Sequence, residues 1–281
     1  MGLQRASTQP RIRPPAVAGA FYPDDPSALR SLVKKFIAGA AQRREQGGGA
    51  AVGTPRALIA PHAGYPYSGP VAGTAYHALG DVRDRYDRVL LLGPSHRLNF
   101  SGSATSEADQ FDTPLGRVPV DREAVAELET LPFVQPIEQA HAHEHGLEVH
   151  LPFLTEVLGS FSIVPVVVSD AAADDVARII ERLWRDDADA ERTLVVISSD
   201  LSHYHDYETA TRLDGATSRA IENLSPQSIG ADQACGAVAI RAMLLTAQAR
   251  HLSAHTLDLR NSGDTAGPRD HVVGYGAYVF D

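Results

Sequence analysis

The sequence predicts an α/β fold in which a sheet is buried between layers of helices. Four short stretches carry this expectation: RALIAPH (56–62), RVLLLGPSH (88–96), FSIVPVVVSD (161–170) and TLVVISSDLSH (193–203) are apolar runs that end in polar residues. A strand with one solvated face alternates apolar and polar side chains, so unbroken runs indicate strands covered on both faces. The covering layers come from stretches with helical spacing at 68–79, 121–131, 145–158, 174–186, 207–222 and 232–248.

Taken in order, Met1 to Gln9 is polar and reads as loose. DPSALRSLVKKFIAGA (25–40) places Leu29, Leu32, Val33, Phe36 and Ile37 on one helical face, with a start signal at Pro26 and Ser27. QRREQGGGAAVGTP (42–55) reads as a Gly-rich exposed loop. At the other end, GYGAYVF (274–280) departs from the dinucleotide pattern because Val279 stands at the third Gly position, so it reads as a final strand. There is no P-loop and no G-x-S-x-G elbow, which leaves nucleotide hydrolysis and Ser-based acyl transfer without support.

A chain of 281 residues fits one large domain. The net charge of −10 and the lack of a basic block argue against a nucleic-acid partner. No apolar run reaches the roughly 18 residues of a membrane span, and Met1 to Arg13 lacks the apolar centre of a secretory signal. The expectation is a cytoplasmic protein without a membrane partner. Cys235 is the single cysteine, which excludes an internal disulfide and a four-cysteine zinc site.

Ligands of open α/β sheets sit beyond the carboxyl ends of the strands. His62, His96, Asp200 and His203 all fall at such ends. Asp200 reads either as a partner that orients a neighbouring imidazole or as a helix N-cap. ADQACGAVAIRAML (231–244) reads as a helix opening with Asp232 as N-cap and Cys235 in the first turn. Cys235 is then either a thiolate favoured by the helix terminus or a small buried hydrophobe. Tyr65 and Tyr67, in HAGYPYSG, read as walls of a small-molecule pocket or as packing for the turn.

HAHEHGLEVH (141–150) holds four histidines but is not an H-E-x-x-H zinc motif, because Leu147 occupies the second His position. If EHGLEVHLPFLTEVL is helical, Leu147, Leu151, Leu154 and Leu158 line one face and His150 falls off it. His141 and His143 read as solvated loop residues.

PPAVAGAFYP (14–23), APHAGYPYSG (60–69), LLGPSH (91–96), EHGLEVHLPFL (144–154), SSDLSHY (198–204), CGAVAI (235–240) and NSGDT (261–265) together resemble the MEMO family. The blocks run in order over nearly the whole chain. That family is in turn similar to the class III extradiol ring-cleaving dioxygenases. The resemblance implies a flexible segment 1–13 followed by a single domain 14–281, a three-layer αβα sandwich with a central mixed sheet of the LigB-like extradiol dioxygenase type. It implies His62, His96 and Cys235 as metal ligands, and Asp200 and His203 as catalytic residues, His203 at the acid/base position. Glu144 and His145 would bind substrate or support the ligands, and Gly146 stands where a Ser is usual.

Two imidazoles and a thiolate leave at least one metal position open. Iron(II) comes first by analogy, with copper or zinc as alternatives. The implied function is a metal-dependent oxidoreductase acting on a small phenolic or otherwise chelating substrate. The alternatives are a non-catalytic metal-handling or peptide-binding protein using the same cleft, and a zinc-dependent hydrolase. Prokaryotic relatives also imply a link to AMMECR1-like and radical-SAM proteins, the AmmeMemoRadiSam grouping.

Overall fold

The computed structural model describes residues 9–47, 53–80 and 82–281. Strand β1 (Ile12–Arg13) and helix α1 (Pro26–Gly47) lead to β2 (Ala57–Ala60), α2 (Tyr65–His77) and β3 (Arg88–Pro94). Next come β4 (Ser103–Thr105), β5 (Gln110–Thr113), β6 (Gly116–Pro119), α3 (Arg122–Leu128), β7 (Val134–Pro136), α4 (Glu138–Ala142) and α5 (Leu151–Leu158). β8 (Ser162–Val168), α6 (Ala173–Leu183), α7 (Asp187–Arg192), β9 (Thr193–Ser198) and β10 (His203–His205) follow. The chain closes with α8 (Tyr207–Glu222), α9 (Ala237–Ala249), β11 (Ala254–Asn261), α10 (Ser262–Thr265) and β12 (Val272–Phe280).

The four apolar runs form the adjacent parallel strands β2, β9, β3 and β8 at the centre of a mixed sheet ordered β10-β12-β2-β9-β3-β8-β4-β7. β12 is antiparallel to β2 and β11, and β4 is antiparallel to β8. Consecutive residues Val89 to Leu92 and Leu194 to Ile197 are fully buried, as strands covered on both faces require. α1, α2 and α5 pack together in one layer, while α6 and α9 pack together in another. On β12, Tyr275 lies within electrostatic range of Tyr67 of α2, while a Cβ on the neighbouring Gly274 would meet the Asp214 carboxylate of α8. Opposite pleat faces therefore meet different helices, and the three-layer αβα expectation holds.

Several local readings change. The loose segment 1–13 lies partly outside the described residues, but its end is strand β1 and Arg13 is 2% exposed, so the ordered body begins before Pro14. Most of the Gly-rich stretch 42–55 is taken up by the end of α1 or lies outside the described residues. The stretch 145–158 is helical only from Glu148, first as a 3-10 turn to His150 and then as α5 with Pro152 in its first turn. α9 begins at Ala237, not at 232, and Asp232 does not cap it. The cause is packing: a Cβ on Gly236 would stand 2.7 Å from Ser199 Cβ and 2.8 Å from the Ser198 carbonyl oxygen. The chain is thus drawn onto the end of β9 before the helix starts.

Buried polar contacts anchor the loop that precedes α5. Arg13 donates from Nε to the His141 carbonyl (2.8 Å), from Nη2 to the Glu144 carbonyl (2.7 Å) and from Nη1 to Glu148 (2.8 Å). Glu148, with no exposed surface, also accepts from the Ala16 and Val17 N–H groups and the Tyr22 hydroxyl. His141 is therefore a buried core residue, 1% exposed, with Nε2 3.1 Å from the Ala104 carbonyl oxygen. This corrects its reading as solvated, whereas His143 is exposed. His150 is buried against the Tyr76 hydroxyl.

Candidate metal centre

The ends of the central strands converge. His62 stands two residues beyond β2, His96 two beyond β3 and Asp200 two beyond β9. Cys235 reaches them from the segment before α9, where its N–H donates to the Asp200 carbonyl (3.3 Å). The donor atoms of His62, His96 and Cys235 all lie within 4.8 Å of one another. His62 Nε2 is 3.3 Å from Cys235 Sγ. A tetrahedral ion held by one imidazole and one thiolate at ordinary bond lengths sets N and S about 3.5–3.6 Å apart, so this pair is within about 0.3 Å of the spacing of a shared ion.

The hydrogen bonds decide which imidazole nitrogen is offered. Ser198 Oγ donates to the Gly146 carbonyl, which can only accept, so its contact with His62 Nδ1 (2.6 Å) must receive the imidazole proton. His96 Nδ1 is 2.7 Å from Glu144 Oε1 and donates to that carboxylate. Both rings therefore carry hydrogen at Nδ1, which leaves Nε2 as the nitrogen each can offer, the pattern by which partners of metal-binding histidines fix tautomer and orientation. The rings lie 5.0 Å apart at 83°.

Glu144 is 1% exposed and also accepts the backbone N–H of His96 (2.7 Å) and of Gly146 (2.8 Å). Burial alone would push its carboxyl up, but the His96 ring and these N–H groups together hold it below the usual range. Burial keeps His62 neutral by driving its pKa far down, and the neighbouring imidazoles act in the same direction. Burial also pushes the Cys235 thiol up to about 12, helped by the Asp200 carboxylate. Cys235 without a metal is thus a neutral thiol, contrary to a thiolate activated in a helical first turn.

Asp200 Oδ1 accepts the His62 backbone N–H (2.8 Å), and burial raises its carboxyl to about 7 against that bond. It caps no helix; the N-cap of α8 is Asp206. His203 Nδ1 is 2.7 Å from the Leu201 carbonyl oxygen and donates to it, which leaves Nε2 free, and burial lowers its pKa. The His145 ring lies 4.6 Å from that of His96 and 5.5 Å from that of His62, with its pKa lowered to about 4 by burial. Its buried Nδ1 has no hydrogen-bond partner.

The two tyrosines separate. Tyr65 is 2% exposed, donates to the Val149 carbonyl (2.7 Å) and packs on Phe153, so it belongs to the core rather than the cleft wall. Tyr67 is 43% exposed on the side of Tyr275, whose phenol pKa is raised by burial and by Asp200. A Cβ on Gly146 would face Glu144 Oε1 (3.2 Å), His62 Nδ1 (3.6 Å) and His96 Cε1 (3.6 Å), so this position lies directly behind both imidazoles. Sequence reasoning overlooked Ser198 and the Arg13–Glu148 pair. Ser198 was within sight, since it opens the SSDLSHY block.

Fold and site define a class, an αβα sandwich with two imidazoles and one thiol converging at the carboxyl edge of its parallel strands. The chain belongs to the family described as Memo-like protein, whose model matches residues 13–279. A MEMO1 family protein of Aeropyrum pernix is 37% identical over 95% of this chain and 99% of its own length. Those of Metallosphaera sedula and Aquifex aeolicus are each 34% identical, over 95% and 96% of this chain and 99% of their own lengths. Among solved structures, an uncharacterized protein of Escherichia coli K12 superposes with a TM-score of 0.51 at 14% identity, covering 79% of this chain and 98% of its own, a likeness of fold alone. No helix among the described residues is long and apolar enough to cross a membrane.

Proposed function

We propose that this chain is a metal-dependent oxidoreductase acting on a small chelating substrate, with His62, His96 and Cys235 as ligands. The observation that supports it most strongly is the matched tautomer state: Ser198 and Glu144 engage Nδ1 of both rings and leave Nε2 to bind, and His62 Nε2 is 3.3 Å from the Cys235 sulfur. The residues present fit a metal, because the His62 imidazole, kept neutral by burial, need lose no proton to bind and the thiol becomes a soft anionic ligand on losing one. Bound iron(II), or copper in its place, would supply a redox couple and a Lewis-acidic open position.

The protein's own groups do the rest. His203, tied at Nδ1 to the Leu201 carbonyl, presents a free Nε2 that can take a proton from a substrate hydroxyl. Asp200 fixes the backbone of His62, and Glu144 fixes ring and backbone of His96, so both ligands are held before any ion arrives. Tyr67, exposed, lies within electrostatic range of Tyr275, which is in turn within range of Asp200.

The test is oxygen consumption by iron(II)-loaded protein across a panel of phenolic chelators, together with metal content by elemental analysis. Near-stoichiometric metal that is lost in His96→Ala and Cys235→Ser, with turnover lost in His62→Ala and His203→Ala, is the expected result. Stoichiometric metal without turnover would instead support a metal-handling or peptide-binding role, and anaerobic activity with zinc would support a hydrolase.

A further inference from the structure

Four adjacent parallel strands, in the order β2, β9, β3, β8, make the centre of the sheet. Three carry a site residue at the second position beyond the strand: His62 after Ala60, Asp200 after Ser198 and His96 after Pro94. The fourth, β8, ends at Val168 and carries Asp170 at the same position. The Asp170 backbone is held, with its N–H donating to the Phe100 carbonyl (3.0 Å) and its own carbonyl accepting from Gly102 (2.8 Å). Its side chain is exposed, and among the described residues no hydrogen bond or ion pair engages the carboxylate.

Asp170 and Cys235 line the same cavity of about 510 Å³, within the range of about 300–1,000 Å³ usual for small-molecule pockets. Pro94, Phe100 and Val168 supply apolar wall, and Asn99 an amide. Neither Lys, Arg nor His is among its described lining residues, so Asp170 is the formal charge of the cavity. The start of α9 also lies on the wall, but the Gly236 N–H is taken by Ser199 Oγ (2.9 Å) and the Ala237 N–H by the Ala234 carbonyl (3.2 Å). Those donors are already engaged and do not offset the carboxylate by binding an anion.

We propose that this cavity is the specificity subsite of the metal centre and that Asp170 selects ligands whose second functional group, beyond the chelating end, is a cationic amine. The proposal rests on the metal-centre reading above. Cys235 belongs both to the metal group and to the lining of the cavity, so a chelating ligand held at the ion has the cavity beside it. An ammonium group placed there gains a charged hydrogen-bond partner, and a carboxylate meets like charge.

The test uses three catechols that differ in the end of their side chain: dopamine, 4-ethylcatechol and 3-(3,4-dihydroxyphenyl)propionate. Each is titrated anaerobically by calorimetry into iron(II)-loaded wild type, Asp170→Asn and Asp170→Glu, and into His96→Ala exposed to iron(II) in the same way. Wild type is expected to bind the amine about tenfold more tightly than the carboxylate at low salt, with the neutral catechol between, since each partly exposed charge interaction changes affinity up to about fivefold. Asp170→Asn should bring all three within about twofold, and Asp170→Glu should retain the order. Binding that requires His96 but ignores side-chain charge, or an order unchanged in Asp170→Asn, overturns the subsite alone. Binding of none of the three to wild type, or binding indifferent to His96→Ala, overturns the metal-centre reading and the subsite with it.

Discussion

Replacing Glu144 with Gln separates the positioning of a ligand from the ligand itself. Glu144 accepts three hydrogen bonds at 2.7, 2.7 and 2.8 Å, from His96 N–H, His96 Nδ1–H and Gly146 N–H, while 1% exposed. A Gln side chain keeps one acceptor and turns the other oxygen into a donor, so at least one buried N–H faces N–H. Leaving one buried donor unpaired costs about 1–3 kcal/mol, which for a chain of this size lowers Tm by about 2–10 °C. Loss of a partner that orients a metal-bound imidazole typically weakens metal affinity about 10–100-fold, or about 1.4–2.7 kcal/mol. Glu144 is not among the three proposed ligands, so Glu144→Gln is expected to retain metal stoichiometry while losing affinity. Competition with a chelator of known affinity reads the second effect, and thermal unfolding of metal-free protein reads the first. A variant whose Tm falls as stated but whose metal affinity stays within twofold of wild type would refute the positioning argument and leave Glu144 a purely structural residue.

Ser198→Ala removes the acceptor of His62 Nδ1–H, and chelator competition should show affinity reduced by about tenfold or more; unchanged affinity would mean that the serine does not set the tautomer. Glu148→Gln leaves the 2% exposed Arg13 without its buried anion, at a cost of about 3–5 kcal/mol. A thermal melt should then shift down by about 6–20 °C, and a shift below about 2 °C would contradict the clamp. Asp214, 2% exposed and accepting the Ser202 N–H (3.0 Å), has its carboxyl raised to about 6 by burial. The folded state thus holds this proton to higher pH than the unfolded chain, whose Asp titrates near about 3.9, and the associated stability is present below pH 4 and lost as pH rises through about 6. Denaturant melts of wild type minus Asp214→Asn should reveal that slope between about pH 4 and 6, and a flat difference would refute it.

Legibility in the sequence followed burial. β2, β3, β8 and β9 were readable because both of their faces are covered and their residues are unbroken apolar runs. β11, AHTLDLRN, escaped because its interior residues are all half-buried and its pattern carries His255, Asp258 and Arg260. The short strands β4, β7 and β10, three residues each, offer too little pattern to recognise. At the site, His62, His96, Asp200 and His203 were visible as polar ends of apolar runs. The start of α9 was not, because Asp232 in ADQACG resembles a cap while the deciding contact is the approach of Gly236 to Ser198 and Ser199, distant in sequence. His141 was misread for the same kind of reason: its burial is set by Arg13 and Ala104, 128 and 37 residues away.

Those long-range contacts explain how a fold with an ordinary core brings together three side chains that could hold a metal. β9 lies between β2 and β3, and the residues at its end bond outward to each neighbouring piece of the site. Asp200 takes the His62 N–H, Ser198 joins the His62 ring to the Gly146 carbonyl, and the Asp200 N–H donates to the Cys235 sulfur (3.3 Å). The register Ala60↔Ser198 between β2 and β9 is held by fully buried side chains, and a slip of one residue would turn them to the wrong face. The relative position of His62, Ser198 and Asp200 is therefore inherited from core packing rather than from the loops that carry them. Cys235 arrives from elsewhere in the chain and is positioned by contact with that same edge. The spacing of His62, His96 and Cys235, a group that could hold a metal, is consequently set by the central sheet and its edge.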